Sequence, residues 1–268
     1  MTPAFRRVPH YDAVNNFRDF GDWKTSDGGR VVAGKLFRSA HLHRASLADL
    51  ARIAAAGITT ITDLRRPEER QVRPGAWLGK LQLRMINAGD DVEGSASAGS
   101  EPPHLAAFRE SASDVAAMRS ALGDHYETIP YETVHVAAFS EYFDALAQDS
   151  GAMLVHCAAG KDRTGILVWL THRLLDVHPE DAMEDYLLSN EAGNIAERLA
   201  YLRKSTGQIY GKEVDDEALV ALLSVEPEYI RRCEAALIAK SGSVQAYLTE
   251  VLGIDRAKAA RIKDRLIE

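Results

Sequence analysis

The chain has 268 residues, 46% of them hydrophobic, which is enough to bury one sizeable core or two small ones. Its formal net charge of -7 argues against nucleic acid as a partner, so an anionic substrate has to be captured by a local positive site. The two cysteines, Cys157 and Cys233, support neither a disulfide framework nor a zinc site, and no stretch approaches the ~20 apolar residues of a membrane span.

The N-terminal MTPAFRRVPHYDAVNNF lacks the apolar core of a signal peptide, so the cytoplasm is the expected location, with export without a cleaved signal left open. Turn signals at Gly21, Asp27-Gly28-Gly29 and Gly34 frame a hairpin-like lead-in. Ser46 is placed to cap a helix whose apolar positions Leu47, Leu50, Ile53 and Ala54 recur at helical spacing, with Gly57 just past its end. ITTITDL, residues 58–64, predicts a buried strand. Pro67-Glu68-Glu69 predicts a helix start, and residues 81–86 a further strand, so the order is that of an α/β sheet.

Residues 89–103, GDDVEGSASAGSEPP, read as a flexible connection, and a helix over 104–122 interrupts the alternation of strand and helix. Together, 89–130 form an expected loop and helical lid inserted into a single domain spanning 1–268. A helix over 132–148 and a compact strand over 152–156 follow, and from Gly165 onward the chain reads helical to its end.

The chemistry concentrates between that last strand and the next helix, in HCAAGKDRTG. Cys157 and Arg163 are separated by Ala158, Ala159, Gly160, Lys161 and Asp162, a spacing that lets the loop close around one phosphoryl group. Successive backbone N–H groups of Ala158 to Thr164 and the positive end of the following helix then point at one centre. The same field suits the thiolate that attacks phosphorus, and the planar fork of Arg163 can bind two phosphate oxygens where a lysine cannot. Thr164 offers its hydroxyl to the thiolate, and His156 is read as a residue that positions the loop. Cys233, among helical charges, reads as a buried structural thiol.

Several segments extend this beyond one loop. NFRDFGDW, LFRSAHL, TDLRRPEE, HCAAGKDRTG, EDYLLSN and SVQAYLTEVLGI occur in that order across nearly the whole chain. With them the sequence resembles the protein tyrosine phosphatase superfamily, within it the atypical bacterial tyrosine/serine phosphatases of the PtpB, or triple-specificity, type. Phe20 stands where that family's signature has leucine. The resemblance implies an α/β fold with a central sheet flanked by helices and a helical lid. It also implies a phosphorylated protein or a phosphoinositide as substrate, phosphotyrosine first and phosphoserine or phosphothreonine in some members. Lys161 beside Asp162 is the loop variant associated with the wider range. No cofactor and no metal are expected, and the sequence does not set the oligomeric state.

The leaving group needs a proton and the second step a base, roles one carboxylate can fill in turn. Asp162 in the loop, Asp63 after the strand, and Asp90 or Asp91 are the candidates. Each has a bland alternative as a loop brace, a partner of Arg65, or solvated charge. Arg18, Asp19, Arg38 and Arg65 are candidates for supporting the site or for plain salt bridges. Three other functions compete with a phosphoprotein phosphatase: an inositol phosphate phosphatase on the same loop, a non-catalytic phosphate-binding module, and a sulfur-transfer enzyme. The Arg163-Thr164-Gly165 ending disfavours the last. A nucleotide-binding loop is excluded by valine at 155 and by Asp162 after Lys161.

Overall fold

The computed structural model describes residues 13–75, 83–90, 114–148, 151–210 and 215–268. Five strands form one sheet: β1 (Arg18–Asp19), β2 (Leu36–Ser39), β3 (Ile58–Asp63), β4 (Arg84–Asn87) and β5 (Ala152–His156), in the order β1-β2-β5-β3-β4. β1 runs antiparallel to β2, and all other neighbours are parallel. The register brings Ser39, His156, Asp63 and Asn87 level across the carboxyl ends of the four parallel strands. The chain segments leaving those ends therefore meet on one edge, where open α/β sheets bind ligands.

Alternating side chains of the strands feed two cores. Leu36, Met153, Val155, Leu64 and Ile86 pack with the main body of helices. Phe37, Leu154, Ala152, Ile58 and Ile61 pack on the other face with Ile53 of α1 (Leu47–Ala55). That helix is closed at its start by a reciprocal cap. Ser46 Oγ accepts the Asp49 N–H, and the Asp49 carboxylate accepts the Ser46 N–H, as the serine suggested. α2 (Pro67–Val72) follows β3.

On the main face lie α3 (Val115–Thr128), α4 (Thr133–Gln148), α5 (Asp162–Leu174), α6 (Pro179–Leu187), α7 (Ser189–Ala192) and α8 (Ile195–Tyr210). They are joined there by α9 (Asp216–Leu223), α10 (Pro227–Ser241) and α11 (Arg256–Leu266). Of the segment expected as a lid insertion, 91–113 lies outside the described residues. Its described part, α3, buries Met118, Leu122 and Tyr126 in the core. No helix among the described residues is long and apolar enough to cross a membrane.

Candidate active site

β5, the central strand, is buried along its whole length, and its last residue hands over directly to Cys157. Residues 157–161 turn without regular structure, and α5 begins at Asp162, so the expected strand, loop and helix are all present. Gly160 makes the turn possible. Its φ is +67°, and a Cβ there would sit 2.2 Å from the Ser39 carbonyl oxygen and 2.6 Å from the Ala40 nitrogen. Cys157 itself is only 1% exposed.

Arg163 is fixed by a partner that the sequence reading took only for a helix start. Its Nη1 and Nη2 donate to the two carboxylate oxygens of Glu69 at 2.5 and 2.8 Å, and Nη1 also donates to the Leu64 carbonyl at 3.0 Å. Burial works against the guanidinium charge, but the Glu69 carboxylate and its hydrogen bonds outweigh it and hold the group above its ordinary value. A guanidinium has five N–H donors, and these three bonds leave Nε–H and one hydrogen on Nη2, which share one edge of the plane. Arg163 thus presents a two-pronged donor that is already oriented.

Behind the loop, three of the quoted segments converge. Asn16, at φ +59°, donates from Nδ2 to the carbonyls of Gly160 at 2.7 Å and Ala159 at 3.2 Å. Arg38 donates to the same Gly160 carbonyl at 2.9 Å and to Asp185 at 2.7 Å. Arg18 reaches the other oxygen of Asp185 at 3.3 Å, the Asp185 carbonyl at 2.7 Å, Ser189 Oγ at 3.2 Å and the side-chain oxygen of Asn16. Burial favours a neutral Asp185, yet the two guanidiniums prevail and bring its pKa to about 2; Arg18, desolvated and beside Arg38, falls to about 9. NFRD, LFRS and EDYLLS are therefore one buried brace that holds the Ala159 and Gly160 carbonyls of the loop. Asp19 serves the turn instead, accepting the N–H groups of Gly21 and Gly34.

The candidate acids sit in three different settings. Asp162 Oδ1 accepts the Tyr126 hydroxyl at 2.8 Å and Lys161 Nζ at 2.9 Å. Burial raises its pKa, but the Lys161 charge and these hydrogen bonds bring it below the usual carboxylate value. Asp63 is clasped by Arg65 through Nε at 2.9 Å and Nη2 at 2.6 Å, and lies 3.6 Å from His156 Nδ1. Its burial is likewise overcome, by His156 and Arg65, so it too is held low. Asp90 is exposed and pairs with Arg70, while Asp91 lies outside the described residues.

Lys161 also donates to the Ser224 carbonyl at 3.2 Å, tying the loop to the end of α9. The buried Thr164 hydroxyl has no hydrogen-bond partner among the described residues. On α8, Arg198 lies near enough to Asp162 and Cys157 for their charges to oppose its burial, and it has no carboxylate partner among the described residues. Glu69, Tyr126 and Arg198 are the residues sequence reasoning missed. All three come from elements far from the loop in the chain, and only Glu69 carried a local signal, as the third residue of a helix start.

The sequence pattern of the tyrosine phosphatase family matches residues 9–268. A Cupriavidus necator protein assigned as a tyrosine-protein phosphatase is 31% identical over 248 residues, covering 92% of this chain and 85% of that protein. The triple specificity protein phosphatase PtpB of Mycobacterium tuberculosis is 28% identical over 291 residues, covering 98% of this chain and 99% of its own. With the loop, its arginine and the sheet edge in place, the chain belongs to the tyrosine phosphatase family and is a phosphatase.

Proposed function

We propose that this phosphatase hydrolyses phosphate monoesters through a phosphocysteine on Cys157. Phosphotyrosine in proteins is the principal substrate, and phosphoserine, phosphothreonine and phosphoinositides are further ones. The observation that carries this reading is the oriented edge of Arg163, set by Glu69 and Leu64, in the loop that starts at Cys157. The Cys157 thiolate attacks phosphorus, the S–P bond forms and the ester P–O bond breaks. The leaving oxygen takes its proton from Asp162. Water then attacks the phosphocysteine, giving its proton back to Asp162 and releasing phosphate and the thiolate. Loop N–H groups and Arg163 hold the equatorial oxygens through both steps.

Asp162 is chosen over Asp63 because Asp63 already spends both oxygens on Arg65, whereas Asp162 lies inside the loop. A phosphate dianion arriving beside Asp162 raises its pKa and favours the protonated form that the first step needs. No metal enters the scheme. A cytoplasmic location fits it, since free thiols persist reduced there.

The test is hydrolysis of para-nitrophenyl phosphate by wild type and Cys157→Ser with EDTA present, followed by phosphopeptide and phosphoinositide panels. Turnover by wild type and none by the serine variant supports the reading. Equal turnover by both proteins refutes it, and no turnover by wild type leaves phosphate binding as the function.

A further inference from the structure

Among the described residues, four large hydrophobic side chains are exposed, and the two most exposed are Leu47 at 87% and Val72 at 79%. Both lie on helices whose flanking segments are tied to the catalytic loop. The His41 N–H donates to the carbonyl of Ala158 at 3.2 Å, which ties the segment after β2 to the loop. Arg73, next to Val72, lies 3.3 Å from His41 Nε2, which brings the end of α2 against that same segment. His43 Nδ1 is 3.0 Å from His41 Nδ1, and the chain runs on through Arg44 to Leu47 at the start of α1. Leu47 and Val72 thus flank one strip that begins at the loop.

The strip is basic on an acidic protein. Arg44 and Arg73 have no carboxylate partner among the described residues, and both lower the proton affinity of His43. Arginine can only donate, so His41 accepts at Nε2, carries its proton on Nδ1 and donates to His43. Burial, then His43 and Arg73, keep His41 neutral, with a pKa of about 3. Of the acids of these two helices, Asp49 is buried and accepts the N–H groups of Ala13 and Ser46, and Glu69 holds Arg163, which leaves Glu68, one turn before Val72 on α2, as their one carboxylate on the strip, against the two arginines Arg44 and Arg73.

We propose that this strip docks the phosphatase on an anionic lipid bilayer, with Arg44 and Arg73 at the headgroups and Leu47 and Val72 in the apolar layer beneath. A bilayer surface offers fixed negative charge directly above hydrocarbon, which matches unpaired arginines beside exposed aliphatic side chains. A chain of net charge -7 is otherwise repelled by such a surface, so a local patch of this kind is what contact requires. Docking turns the mouth of the site toward the membrane and does not depend on the chemistry at Cys157.

The test is co-sedimentation with vesicles of phosphatidylcholine alone and of phosphatidylcholine with phosphatidylserine, at low and at physiological salt. Wild type is expected to partition onto the serine-lipid vesicles only, with binding weakened by salt. Arg44→Ala and Arg73→Ala each reduce the partition coefficient about five-fold. Leu47→Ser and Val72→Ser each reduce it about ten-fold. All four positions are exposed, and melting curves check that the variants remain folded. Sedimentation that ignores lipid charge, or variants that bind like wild type, overturns the proposal. So does a wild type that turns over aryl phosphate and binds neither vesicle, in which case the phosphatase reading stands and the strip is left to a protein partner.

Discussion

Glu69→Gln isolates the grip on Arg163. Glutamine keeps the length and volume of the side chain but has one acceptor oxygen where the carboxylate has two. Glu69 Oε2 accepts both Arg163 Nη1 and the Arg66 N–H, and Oε1 accepts Arg163 Nη2 at 2.8 Å. With the amide oxygen at the first position, its NH₂ group faces the donors of Nη2, so one charge-assisted bond is lost and replaced by opposed hydrogens. Such a bond is worth about 1.5–3 kcal/mol. If Arg163 reaches the transition state only when held, kcat/KM falls about 10- to 150-fold. The helix cap survives in that rotamer, but the same lost bond should lower the melting temperature by about 3–12 °C. Steady-state kinetics on para-nitrophenyl phosphate and a thermal melt separate the two effects. A variant with kcat/KM within about two-fold of wild type refutes the claim that Glu69 orients the phosphate-binding arginine.

Gly160→Ala drives a Cβ against the Ser39 carbonyl at 2.2 Å in a left-handed turn, so activity should vanish and the unfolding free energy from urea denaturation should fall by at least ~2 kcal/mol; a folded, active variant contradicts the turn geometry. Asp185→Asn leaves the buried Arg18 and Arg38 without their carboxylate and should cost about 3–5 kcal/mol in urea unfolding, against less than 1 kcal/mol if the brace is dispensable. The pH dependence has a definite sign. Asp185, at about 2 when folded, binds fewer protons folded than unfolded, so its stabilisation is full above the unfolded value near 4. Acid titration of stability should lose about 2 kcal/mol from this group as pH falls from about 4 to 2, and a flat profile there refutes the assignment. Asp162→Asn should steepen the dependence of kcat/KM on leaving-group pKa, with alkyl phosphates losing far more than para-nitrophenyl phosphate; an unchanged slope, with Asp63→Asn steepening it instead, transfers the acid role to Asp63.

Local rules made the strand, the loop and the helix around Cys157 legible. An apolar run of strand length, a glycine where the chain must reverse, and charged residues where a helix begins are all written within about a dozen residues. The Ser46 cap and the β-branched strand at 58–63 were legible for the same reason. What could not be read was which distant residue completes each local group. The Arg66 N–H that Glu69 accepts at the start of α2 explains why position 69 carries a glutamate, and nothing in that local bond shows that the same carboxylate reaches 94 residues along the chain to Arg163.

The brace behind the loop carries the argument further. Asn16, Arg18, Arg38, Asp185 and Ser189 stood in segments recognisable only by resemblance, and for Arg18 and Arg38 a salt bridge was the plain explanation. That explanation is correct for the pairs and incomplete for the set. Two arginines around one aspartate leave an excess of positive charge in a fully buried place, which is costly for stability alone. The excess gains a purpose from the Gly160 carbonyl, which accepts from both Arg38 and Asn16 and is thereby held pointing away from the cradle. A loop that binds an anion through N–H groups must turn its carbonyls outward, and outward here means into the core. Burying cationic donors beneath the loop satisfies those carbonyls, and it adds positive potential under the proposed phosphate site.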